Sequence, residues 1–195
     1  MPTPGKLLII GDSISIGYTP FVAAALDGRF VVAHQEGNSG DSRNVLDRLD
    51  AWLAADADAT LIHFNLGLHD LRQWYDARGY QVPLAAYRNN LTEIVARLKN
   101  TGKRLLWAST TPVVDQRVEA TVSDFVRRDE DVRAYNAAAA EIVAAAGIAT
   151  DDLYAAVVAA GVEETVCPDG THLTQEGYRL LGAAVARAVQ QHCPA

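Results

Sequence analysis

Apolar residues follow two alternating rhythms along this chain. Leu7-Leu8-Ile9-Ile10 is a short unbroken run, and Phe30–His34 (FVVAH), Thr60–Gly67 (TLIHFNLG) and Lys103–Thr110 (KRLLWAST) are three more. GIATDDL, from Gly147, supplies a short fifth. Apolar runs of this length suit strands buried on both faces. Between them the spacing lengthens to that of a helix. Ser15–Leu26 is expected to be helical. Val45, Leu46, Leu49, Trp52 and Leu53 form a stripe that Asp41 or Ser42 can cap, and Leu84, Tyr87, Leu91, Ile94, Val95 and Leu98 form another after Pro83. The alanine-rich DVRAYNAAAAEIVAAAG reads as a helix stopped at Gly147. A last helix opens after DGTHLT, with Thr174 as N-cap and Leu173 and Tyr178 as its hydrophobic staple. Thr111 to about Asp129 reads as an irregular loop, long enough to be functional. The alternation predicts an α/β fold, a parallel sheet with helices on both faces. With no repeat, low-complexity tract or linker, residues 1–195 are expected to form one domain.

Composition narrows the function classes. A chain of 195 residues with 49% apolar and 21% charged residues has the size and balance of an ordinary globular domain. Its net charge of −7 and the lack of any Lys/Arg run argue against a nucleic-acid partner. No stretch approaches the length of a membrane span. The N-terminus lacks the long apolar segment and cleavage site of a secretion signal, so the chain as given reads as cytoplasmic. Cys167 and Cys193 form no CxxC pair; reduced thiols are the default, with a bridge left open. His34, His63 and His192 read as structural or surface residues without metal-ligand spacing, and neither metal nor cofactor is expected. Nothing in the sequence sets an oligomeric state.

Ligands of such sheets bind beyond the carboxyl ends of the strands, so the chemistry is sought there. The segments are Gly11-Asp12-Ser13, the stretch EGNSGDS after the second strand, GLHD after the third, and DGTH before the last helix. Ser13 is either a helix cap or a nucleophile. Asp169 and His172, three apart in a turn, can hold an imidazole in one tautomer, or be ordinary surface residues. GNSGD lacks the last glycine of a G-x-S-x-G elbow, which makes Ser39 and Ser42 weak rivals of Ser13.

Taken in order, GDSI, SGDS, GLHD and DGTH resemble the sequence blocks of the SGNH or GDSL hydrolases, from Gly11 to His172. The resemblance implies a flavodoxin-like three-layer α/β/α sandwich with a five-stranded parallel sheet of order 2-1-3-4-5. It implies a serine esterase in which Ser13 is the nucleophile, His172 the base and Asp169 its orienting partner. The N–H groups of Ser13 and Gly40 would form the oxyanion hole. One block departs from the pattern: His69 stands where the family has an asparagine whose side chain is a third donor. A neutral imidazole has one N–H to give and an imidazolium adds charge, so His69 is expected to donate, unless it is turned away. Asn65 is too far back in the strand to compensate, and Asp70 is expected to bond loop amides.

The substrate is less sharply written. Arg72, Trp74, Tyr75, Arg78 and Tyr80 follow the third strand and are placed to stack on a sugar or pair with an anion, or simply to pack the loop. Arg127 and Arg128 are further candidate anion contacts. The lack of a long apolar lid disfavours long-chain fats. The leading expectation is a hydrolase of short-chain O-esters, acetyl above all, on a small molecule or carbohydrate. An acyltransferase using the same acyl-enzyme, a lysophospholipase- or thioesterase-like acylhydrolase, and a non-catalytic carbohydrate-binding module are the alternatives.

Overall fold

The structure, a computed structural model, describes residues 4–76 and 78–192. The chain enters its main sheet through β1 (Gly5–Ile10), whose Leu7, Leu8, Ile9 and Ile10 are all buried because both faces of the strand are covered. On one side β1 pairs in parallel with β2 (Phe30–His34), and on the other with β3 (Leu61–Phe64). A two-residue strand, β4 (Gln73–Trp74), follows in the chain but lies outside this sheet. β3 pairs with β5 (Arg104–Ala108). The resulting central sheet, completed beyond β5 by Ala149–Asp151, is parallel throughout. Counting only its own strands, the order is 2-1-3-4-5, as the resemblance implies.

The helices cover both faces. They are α1 (Ser13–Ala25), α2 (Ser42–Ala55), α3 (Leu84–Asn100), α4 (Asp115–Thr121), α5 (Asp129–Ala145), α6 (Leu153–Ala160), α7 (Val162–Thr165) and α8 (Gln175–His192). α2 packs on α3 and α3 on α5, whereas α1 packs on α8 and α8 on α6. The predicted stripes face inward: Val45, Leu49 and Trp52 of α2, and Tyr87, Leu91, Ile94, Val95 and Leu98 of α3, are buried. α1 and α8 approach closely because glycines face bulky rings. A Cβ on Gly17 would fall inside the Tyr178 ring, and one on Gly182 would collide with Phe21. The Thr174 Oγ1 accepts the Gly177 N–H at 3.2 Å and so caps α8 as the sequence suggested.

Three sequence expectations change. α1 begins at Ser13 rather than Ser15, because Asp12 supplies the cap. Thr111–Asp129 is not wholly irregular. It contains α4 and a second two-residue strand, β6 (Phe125–Val126), which pairs antiparallel with β4. The segment 153–165, to which no element was given, folds into α6 and α7. The fifth strand of the central sheet, Ala149–Asp151, is β7 in chain order.

Candidate active site

Ser13 sits where β1 hands over to α1. Asp12 is buried and its Oδ1 accepts the Ile14 N–H at 2.9 Å, so the capping role is already filled. The Ser13 side chain is left free, and its Oγ lies 2.9 Å from His172 Nε2. On the far side of the ring, His172 Nδ1 is 2.6 Å from Asp169 Oδ2. The other carboxylate oxygen, Oδ1, accepts the backbone N–H groups of Thr171 and His172, each at 2.9 Å. Burial pushes the Asp169 carboxyl up, but those two amides and the imidazole outweigh it and hold it below its ordinary range. An ionised Asp169 only accepts, so Nδ1 carries the proton and the Nε2 lone pair faces the serine hydroxyl. The three groups can therefore pass a proton from Ser13 to His172.

The turn that carries this pair is braced. The Cys167 N–H donates to His172 O at 2.7 Å, and the Val114 N–H to Gly170 O at 2.9 Å. Gly170 has φ +74°, and a Cβ there would come within 2.6 Å of both Val114 O and Val118 N. Only glycine fits, and the loop is thereby pressed against the start of α4.

The groups around the serine differ in what they can offer an oxyanion. The Ser13 N–H is the first of α1, with no acceptor among the described residues and at the positive end of the helix. The Gly40 N–H, by contrast, donates to Asn38 Oδ1 at 2.8 Å in a turn where Gly40 has φ +63°. To serve an oxyanion it must share that bond or release it. His69 lines the same cleft as Ser13 and His172. Arg72 Nη2 lies 3.3 Å from His69 Nδ1, and a guanidinium only donates, so Nδ1 accepts and the remaining proton resides on Nε2. Burial, with Arg127 and Arg72 nearby, pulls the His69 pKa down to about 4. The ring is thus a neutral Nε2–H donor at ordinary pH, and the imidazolium alternative falls away.

The residues just behind are structural. Asp70 is fully buried and accepts the Ser42 N–H at 3.0 Å and the Ser42 hydroxyl, tying the start of α2 to the loop after β3. Burial raises its pKa to about 7. Ser39 and Ser42 are fully buried, and Ser42 is further engaged by Asn90 Nδ2 at 2.9 Å. Asn65 is held by Ala108 O at 2.9 Å. His63 is buried against Asp151 at 3.1 Å, His34 lies between Ser15 Oγ and Gln35 O, and His192 is exposed. Cys167 forms no bridge among the described residues, and Cys193, with the pairing the sequence left open, lies outside them.

The open cleft beside Ser13 measures about 380 Å³. Of the residues named for substrate contact, Arg72 lines it and Trp74 and Tyr75 do not. The Trp74 Nε1–H donates to Gln81 Oε1 at 2.8 Å and Tyr75 is largely solvent-exposed, so these two rings pack and edge the loop. Arg128 turns to Gln73 and Glu119, whereas Arg127 faces the cleft. Sequence reasoning missed Phe125, Asn38 and Thr171 in its wall. Phe125 had no visible signal, because the β4–β6 pairing that carries it to the site is two residues long.

Comparison with known proteins finds relatives of the chain in sequence and in fold. The family model described as GDSL-like lipase/acylhydrolase matches residues 9–180. A GDSL esterase/lipase of Arabidopsis thaliana, CPRD49, is 25% identical over 161 residues; the match covers 79% of this chain and 63% of that protein. Among solved structures, Axe2, an acetylxylan esterase from Geobacillus stearothermophilus, aligns over 97% of this chain and 96% of its own at 20% identity and TM-score 0.75. LAE5, an alpha/beta hydrolase from the metagenome of Lake Arreo, Spain, aligns over 96% of each chain at 19% identity and TM-score 0.78. At these identities the two structures speak for the fold.

Proposed function

The chain belongs to the GDSL-like lipase/acylhydrolase family, and on that premise we propose that it hydrolyses short-chain O-esters, acetyl esters above all, through Ser13, His172 and Asp169. The observation that carries the reading is the unbroken relay from Ser13 Oγ to His172 Nε2 at 2.9 Å and from His172 Nδ1 to Asp169 Oδ2 at 2.6 Å. As the hydroxyl attacks the ester carbonyl, His172 takes its proton and Asp169 stabilises the imidazolium. The oxyanion is received by the Ser13 N–H and the His69 Nε2–H, with Gly40 joining if Asn38 yields. His172 then protonates the leaving alcohol, and water enters by the same path to release the acid.

Support for a short acyl group comes from the cleft: it is small, and Arg72, Arg127, His69 and Asn38 break up its apolar surface. An acetylated carbohydrate is the leading substrate on this reading, supported by the acetylxylan esterases that share the fold. A series of p-nitrophenyl esters tests this directly. Turnover should be highest for acetyl and propionyl and decline sharply by octanoyl, with acetylated xylooligosaccharides assayed alongside. Faster hydrolysis of the octanoyl ester would point to a thioesterase- or lysophospholipase-like enzyme instead.

The His69 role has its own test. The oxyanion exists only once the carbonyl is tetrahedral, so a donor aimed at it acts on kcat and little on KM. His69→Ala should lower kcat about 100-fold. His69→Asn should recover part of that loss. With a pKa of about 4 the wild-type ring stays neutral above pH 5.5, so the deficit of the alanine variant should be constant from there upward. A rise in KM alone would make His69 a substrate-binding residue.

A further inference from the structure

Several arginines of the molecule are spoken for by carboxylates. Arg43 pairs with Asp41, Arg117 with Glu163 and Arg128 with Glu119. Arg72 and Arg127, which line the cleft itself, form no ion pair among the described residues. Both are held in place by neutral groups. The Arg127 Nε–H donates to Leu68 O at 2.9 Å, and Nη1 lies 3.5 Å from Thr171 Oγ1. Among the described residues the Arg72 guanidinium bonds only His69, and its buried Nε has no partner there. The two guanidinium carbons lie 4.3 Å (Arg72) and 4.9 Å (Arg127) from the centre of the Phe125 ring.

This arrangement carries a cost. Burial pulls the pKa of Arg127 down to about 10 and also lowers that of Arg72; Arg72 opposes the charge of Arg127, both oppose a charge on His69, and Asp12 and Asp169 near Arg127 and Asp41 near Arg72 offset part of this without pairing with them. Attraction to the aromatic face offsets part of this cost but neutralises nothing. A bound anion would pair with both directly, which none of those carboxylates does, and guanidinium groups match carboxylates in shape as well as charge. The chain as a whole has a net charge of −7, so only a local device of this kind would hold an anion there.

We propose that Arg72 and Arg127 form an anion subsite in the cleft, and that the preferred substrate is an ester that also carries a carboxylate. This rests on the hydrolase reading above and gives its substrate class. The carboxylate can sit on the acyl side, as in a dicarboxylic half-ester, or on the alcohol side, as in an acetylated hydroxy acid or acidic sugar.

Two pairs of substrates separate those sources: p-nitrophenyl hemiglutarate against p-nitrophenyl valerate, and 4-acetoxybenzoate against 4-acetoxybenzamide. Rates with Ser13→Ala are subtracted as background. In at least one pair the wild type should favour the anion by tenfold or more in kcat/KM, chiefly through KM. Arg72→Gln and Arg127→Gln should each cut that ratio about tenfold, whatever happens to absolute rates, because a purely structural role lowers both members of a pair alike. Equal or poorer use of the anionic member in both pairs overturns the proposal, and does so from the wild type alone if a variant fails to fold.

Calorimetric titration of wild type and Arg127→Gln with glutarate and 4-hydroxybenzoate gives a readout without turnover. Binding that the variant loses supports the subsite even if no ester is hydrolysed, an outcome in which the hydrolase reading alone fails. Stronger binding of inorganic phosphate than of either carboxylate overturns the assignment of the ligand class.

Discussion

Ser13→Ala is expected to lower kcat by about a million-fold, the scale seen when the nucleophile is removed from a serine triad. The residue after the change keeps its place in the fold. Asp12, not Ser13, caps α1, and among the described residues the Ser13 hydroxyl bonds His172 alone. Thermal stability should therefore move by no more than about 0.5 kcal/mol. A serine-directed organophosphorus reagent should add a single adduct to the wild type and none to the variant, read by mass spectrometry. Ser39 and Ser42 are sealed in the interior and cannot substitute. An adduct on either of them, or a variant retaining a few per cent of activity, would end the nucleophile assignment.

Asp169→Asn should cost about 10⁴-fold in kcat while the protein stays folded. The reason lies in how the side chain is pinned. One oxygen is held by the N–H groups of Thr171 and His172, which demand an acceptor, so an asparagine must place its carbonyl there. Its NH₂ then faces His172 Nδ1. That nitrogen must become the acceptor, the proton moves to Nε2, and Nε2 no longer has a lone pair for the serine proton. Because the backbone bonds survive, circular dichroism and melting should change little. A variant within tenfold of wild type would remove Asp169 from the mechanism.

What the sequence made legible follows from how local the signal was. Strands of four to six residues buried on both faces appear as apolar runs, and stripes on α2 and α3 give away their inner face. Asp169 and His172 are three residues apart, so a single turn brings them together and the pattern reveals it. α6 escaped because LYAAVVAA is apolar on every side and offers no period to read. The β4–β6 pairing escaped because it joins residues about fifty apart through two residues each. With it went Phe125, and hence the link between Arg72 and Arg127. Asn38 capturing the Gly40 N–H was equally hidden, since a glycine in a motif does not say which way its amide points.

Ser13 and His172 are separated by 159 residues, and the helices that follow them, α1 and α8, press together through Gly17 and Gly182. The Ser13 hydroxyl is made 159 residues before the imidazole that faces it. A growing chain therefore carries the hydroxyl long before His172 exists, and the two are brought together where α8 docks on α1. On the proposed mechanism hydrolysis begins only once α1 and α8 have packed, so that the onset of activity reports that docking.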